Sequence, residues 1–250
     1  MLQPRALVAS IALCVGLAAC AGTSAPRSGG ESPNARAAND NVALAQEYIR
    51  NGQYEIAMGR LEQALRLDPR SANAHTMMGL LNERIGRSER AGVSYRRAAQ
   101  LEPDKGDFAN NYGAWLCRNG QPSESLDWFE KALEDPFYRT PDLALSNAGR
   151  CARQAGEVGR ADALLRRALE ANPRNTTVLS ELARLQFDQG DFLRARAFIQ
   201  RRESAGTVDP ETLELAARIE ERLGDMDAAN RYRTRLVNEF PEFRPSTPDS

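Results

Sequence analysis

Cysteine and histidine are the side chains whose types suit nucleophilic, redox or metal chemistry, and this 250-residue chain has four of the first and one of the second. Cys117 and Cys151 stand 34 residues apart. No Cys-x-x-Cys pair accompanies them, so redox catalysis is not indicated. Two such thiols pair in an oxidising compartment if their Cα atoms come within about 7 Å, and otherwise pack as small apolar side chains. His75 is a lone imidazole, whereas most metal sites and many acid–base sites recruit two or more. The sequence contains no Gly-rich phosphate loop, no Gly-x-Ser-x-Gly and no His-Glu-x-x-His. Catalytic residues, a metal site, a small-molecule substrate and a bound cofactor are therefore not expected.

The elements that carry these residues follow from an internal period. Glycines 52, 86, 120, 156, 190 and 224 are separated by 34, 34, 36, 34 and 34 residues. Five residues after each stands a small side chain: Ala57, Ala91, Ser125, Ala161, Ala195 and Ala229. Ala64, Ala98, Ala132 and Ala168 hold a third register, and Pro69, Pro103, Pro173 and Pro241 close units. Each unit reads as a helical hairpin, with Gly where the chain turns at positive φ and Pro where the second helix ends. In the second unit Gly79, Ala91 and Ala98 predict close helix approach, with Met78 and Tyr95 beside them.

A hairpin of this size cannot bury its apolar face alone, so the expected fold is all-α: a right-handed α-solenoid of six stacked units with an inner groove. The pattern resembles the tetratricopeptide repeat, and the units fall at 38–71, 72–105, 106–139, 142–175, 176–209 and 210–243. Arg202 and Leu236 depart from the third small position in units five and six. The composition agrees, with 42% hydrophobic but only 6% aromatic residues. With 33 Lys+Arg against 34 Asp+Glu, the chain lacks the basic excess of a nucleic-acid binder, and no nucleic-acid partner is expected.

Residues 1–19 read as a secretory signal: Arg5, an apolar run from Ala6 to Val15, then small residues, too short to span a bilayer. Leu17-Ala18-Ala19-Cys20 resembles the lipobox of bacterial lipoproteins. That resemblance implies cleavage before Cys20, acyl chains on it and removal of Cys14. Each buried methylene contributes about 0.8 kcal/mol to membrane attachment. Ala21, where Asp would favour inner-membrane retention, implies sorting to the outer membrane of a Gram-negative bacterium, facing the periplasm. Cys20 and the Gly-, Ser- and Pro-rich residues to 37 read as a tether of about 20–25 Å r.m.s. reach. Residues 244–250 read as a disordered tail.

Unit three is aromatic-rich, with Tyr112, Trp115, Trp128 and Phe129 expected to enlarge the local core. Asp135-Pro136-Phe137-Tyr138-Arg139-Thr140-Pro141 interrupts the period between units three and four. From register alone, Val42, Ile49, Leu80, Arg84, Asn110, Ala114 and Arg150 are candidate residues of a protein-binding groove. The Lys and Asn positions of chaperone-type carboxylate clamps are absent, so C-terminal peptide capture of that type is not expected.

The lipobox, six repeats, Asn110-Asn111-Tyr112-Gly113-Ala114-Trp115-Leu116-Cys117, the segment from Asp135 to Cys151 and the two cysteines together resemble the PilF/PilW family of type IV pilus biogenesis lipoproteins. That resemblance implies a pilotin, an outer-membrane scaffold that binds the pilus secretin subunit and promotes its localisation and multimerisation for pilus biogenesis and twitching motility. It implies no enzymatic step. The alternative is a general periplasmic repeat adaptor lipoprotein for envelope assembly or proteolysis. A cell-wall enzyme, the third reading, would need an acid–base pair that no motif forecasts.

Overall fold

The computed structural model describes residues 32–244. The signal, Cys20, the tether through residue 31 and residues 245–250 lie outside the described residues.

Twelve helices and no strand occur among the described residues: α1 (Pro33–Arg50), α2 (Tyr54–Leu67), α3 (Ala72–Arg84), α4 (Ser88–Leu101), α5 (Gly106–Arg118), α6 (Pro122–Glu134), α7 (Pro141–Gln154), α8 (Val158–Ala171), α9 (Thr176–Asp188), α10 (Phe192–Ala205), α11 (Pro210–Leu223) and α12 (Met226–Glu239). They form six antiparallel hairpins, and each first helix also packs against the first helix of the next hairpin. The turn inside every hairpin is set by a glycine with φ between 71° and 81°. A side chain is strained in that left-handed region, and this confines the period-setting position to Gly.

Small residues let the helices meet. Ala57, Ala64, Ala91, Ala98, Ala132, Ala161, Ala168, Ala195, Ala229 and Ser125 are all buried. At Gly79 an added Cβ would stand 2.7 Å from the Tyr95 ring, which accounts for the close α3–α4 approach. A continuous apolar cluster runs from Ala114, Cys117 and Phe129 in the third hairpin to Leu215 and Ile219 in the sixth. The first hairpin has its own centre in Ala45, Ile49, Ala57 and Leu61, joined by Leu81 from the second.

One boundary differs from the sequence reading. The tether was expected to reach residue 37, yet α1 begins at Pro33. Proline suits the first helical turn, and the following Asn-Ala-Arg-Ala-Ala propagates a helix without needing much apolar surface. At the other end Phe243 packs with Phe240 and Tyr232 on Val208, Leu213 and Leu236, giving the last hairpin an apolar cover.

Candidate protein-binding face

Polar bridges link successive first helices. Arg118 of α5 donates to Glu83 of α3 at 2.7 Å, and Glu83 also accepts from the Tyr95 hydroxyl at 2.8 Å. Burial, followed by the Glu83 bond, raises the Tyr95 phenol well above its ordinary pKa. Asn147 of α7 donates to the Asn110 side chain of α5 at 3.1 Å, and Arg150 donates to Asn147 at 3.3 Å. Arg153 of α7 faces Glu181 at 3.5 Å and Asp188 at 3.3 Å on α9. Ser180 of α9 and Thr212 of α11 share a 3.0 Å hydroxyl bond. Ion pairs, amides and hydroxyls therefore connect successive first helices from α3 to α11.

The groove candidates divide by burial. Arg84 is exposed, while Val42, Leu80 and Arg150 are half-buried. Ile49, Asn110 and Ala114 are buried and are corrected as lining residues. Ile49 belongs to the core of the first hairpin, and Ala114 to the long cluster shared with Cys117 and Phe129. Asn110 turns its side chain to Asn147. Repeat register gives the helix and the turn, but packing on the neighbouring hairpin decides whether a position faces outward. Of the seven, Asn110 and Arg150 meet through Asn147, and the others are spread over α1, α3 and α5.

Cys117 on α5 and Cys151 on α7 lie with Cα atoms 5.8 Å apart and sulfurs bonded at 2.09 Å. The bond joins the third and fourth hairpins inside the long apolar cluster. Tyr112 and Phe129 are fully buried, with Trp115 stacked on Tyr112 at 5.9 Å and Trp128 edge-on to it at 4.9 Å. Trp115 Nε1 donates to the Ser88 carbonyl at 3.1 Å. Its ring occupies the space above Gly92, where an added Cβ would lie 2.3 Å away. Gly92 escaped the sequence reading because it breaks no period. His75 contacts the Pro69 carbonyl at 3.2 Å, and burial lowers its pKa. No metal-binding group of His, Cys, Asp or Glu occurs among the described residues, nor does any helix there have the length and apolarity to cross a membrane.

The segment that interrupts the period is built rather than loose. Asp135 accepts from the backbone N–H of Gly106 at 2.9 Å and of Phe137 at 2.8 Å, while Tyr138 is buried among Ala109, Ala132 and Ala144. The Gly106 and Phe137 bonds hold the Asp135 carboxyl below its ordinary pKa. A depressed folded pKa stabilises the loop above the unfolded value of about 3.9, and that contribution vanishes as pH falls through the lower folded value. Asp135→Asn is expected to flatten the fall in melting temperature below pH 4. Parallel acid melting curves for the two proteins would count against this role.

The stacked hairpins and their bridged first-helix face define a tetratricopeptide-repeat scaffold, a class built to bind protein partners. Tetratricopeptide-repeat family models match residues 42–103 and 152–219. The chain is 25% identical over 200 residues to the type IV pilus assembly protein PilF of Pseudomonas aeruginosa, covering 80% of this chain and 79% of that protein. It is 33% identical to the solved structure of PilW, a widely conserved type IV pilus biogenesis factor, with a TM-score of 0.78 over 83% of this chain and 95% of PilW. A solved Pseudomonas aeruginosa pilF structure shares the fold, at 24% identity and a TM-score of 0.75 over 85% of this chain and 96% of that one. The chain belongs to the PilF/PilW family of type IV pilus tetratricopeptide-repeat proteins.

Proposed function

We propose that the protein is an outer-membrane lipoprotein that works as a pilotin: it binds the type IV pilus secretin subunit and promotes its localisation and multimerisation. The observation that carries this reading is the joining, in one chain, of a pilus-family repeat array to Leu17-Ala18-Ala19-Cys20. Acyl chains on Cys20 would confine the array to the periplasmic face of the membrane where the secretin ring must form. Confinement raises the local concentration of any captured segment without requiring tight contacts. The bridged first-helix face supplies a fixed surface for such a segment, and the protein acts by binding rather than by catalysis.

Deleting the gene is expected to abolish heat-stable secretin multimers and twitching motility. Cys20→Ser is expected to leave the repeats folded but shift the protein from the membrane to the soluble fraction. Unchanged multimers in the deletion strain would overturn the pilotin reading in favour of a general adaptor. Normal membrane fractionation of the serine variant would overturn the lipid anchor.

A further inference from the structure

Arg202 occupies the repeat position that Ala64, Ala98, Ala132 and Ala168 fill in the first four hairpins. The substitution of a long cation for a small apolar residue comes with a local change in architecture. Units one, two and four close on Asp68-Pro69, Glu102-Pro103 and Asn172-Pro173, but unit five closes on Gly206-Thr207-Val208-Asp209. Between the fifth and sixth hairpins lies a cleft of about 290 Å³ lined by Thr176, Thr177, Ser180, Arg184, Arg202 and Thr212, with Glu181, Asp209 and Glu211.

Arg202 is only 5% exposed, yet its guanidinium is under-used. Nη2 donates to Asp209 Oδ2 at 3.0 Å, while Nε and Nη1 have no hydrogen-bond partner. Burying donors of a charged group without acceptors is costly, so a missing partner is the economical explanation. Asp209 does not supply it, because its other oxygen caps α11 by accepting from the Thr212 N–H at 2.8 Å. Glu181 faces Arg153 instead.

We propose that this cleft binds a carboxylate presented by a partner polypeptide, either a C-terminus or an Asp or Glu side chain, with Arg202 as the buried anchor. Charge and size both select that ligand. The lining sets Arg184 and Arg202 against Glu181, Asp209 and Glu211, one negative charge in excess, which opposes the nearly two charges of a phosphate monoester more strongly than the single charge of a carboxylate held on the Arg202 guanidinium. A charge-assisted bond to carboxylate is also roughly twice as strong as one to a neutral carbonyl. The volume lies just below the range of about 300–1,000 Å³ usual for small-molecule pockets, and suits a residue or two of a peptide. Ser180, Thr212, Thr176 and Thr177 add hydroxyls able to donate or accept around the same ligand. The proposal does not depend on the partner being a secretin.

The test uses the purified full-length chain and three peptides: acetyl-Ala-Ser-Leu with a free C-terminal carboxylate, the same peptide amidated, and acetyl-Ala-Glu-Leu-amide. Affinity is read by calorimetry, and engagement of the anchor by the NMR signal of the Arg202 Nε–H. One or both carboxylate peptides should move that signal, and the free-terminus and Glu arms identify the source. The amidated neutral peptide should bind at least tenfold more weakly. Arg202→Met, which keeps the stem volume, and Arg202→Ala, which restores the residue of the other repeats, should each weaken binding tenfold or more without lowering the melting temperature. Equal binding of the neutral peptide, an Arg202 signal indifferent to all three, or an Arg202→Met affinity within twofold of the native protein would overturn the proposal. A melting temperature lowered by Arg202→Ala with no effect on binding would assign Arg202 to packing instead.

Discussion

Replacing Cys117 and Cys151 together by alanine is expected to lower the stability of the repeat array by about 4 kcal/mol. The bond closes a loop of 34 residues in sequence separation. Chain-entropy reasoning for a loop of that length gives a value just under 4 kcal/mol at 25 °C, acting through the unfolded chain. At about 2–4 °C per kcal/mol for a domain of this size, the melting temperature should fall by roughly 10 °C. Because either thiol is useless without the other, Cys151→Ala alone should cost nearly as much as the double variant. The position of the bond adds a second expectation. Repeat arrays are held by nearest-neighbour interfaces, and this bond staples the third hairpin to the fourth, in the middle of the six. Its loss should let the first three hairpins and the last three melt separately, turning one calorimetric transition into two. A shift below 2 °C, or two reactive thiols in the denatured, unreduced mature protein, from which Cys14 has been removed and in which Cys20 is acylated, would refute the account.

The second large effect concerns Trp115 and Gly92. Trp115→Ala removes a ring stacked on Tyr112 and hydrogen-bonded to Ser88, at an expected cost of about 3 kcal/mol for a half-buried indole. Gly92→Ala in the native protein forces that ring out of its seat, an overpacking cost of about 1–3 kcal/mol. In the Trp115→Ala background the same change meets no ring. There it gains up to about 1 kcal/mol of helix propensity. The sign of the Gly92→Ala effect should therefore reverse between the two backgrounds. Chemical denaturation of the four proteins measures the cycle, and additive effects would show that Gly92 is not kept for the indole.

What the sequence made legible were features with one physical solution. A turn at positive φ admits Gly at little cost, so six glycines at a fixed period gave away six hairpins. Alanines at two further registers identified the contact faces for the same reason. Ile49, Asn110 and Ala114 misled as groove residues because a helix position faces outward or inward according to its neighbour's side chains, which no period encodes. The start of α1 at Pro33 was hidden because Ala-rich sequence extends a helix without an apolar stripe to announce it. The cleft beside Arg202 was visible only as a broken rule. What the break created needed the unpaired guanidinium nitrogens to be seen.

The early start of α1 sets the length of a leash. In the lipid-anchored form proposed above, residues 21–32 are all that lies between the acylated Cys20 and the first helical residue, Pro33. Twelve residues at their longest span about 40 Å, whatever path they take. Pro33, where α1 begins, is then held within that distance of the lipid surface.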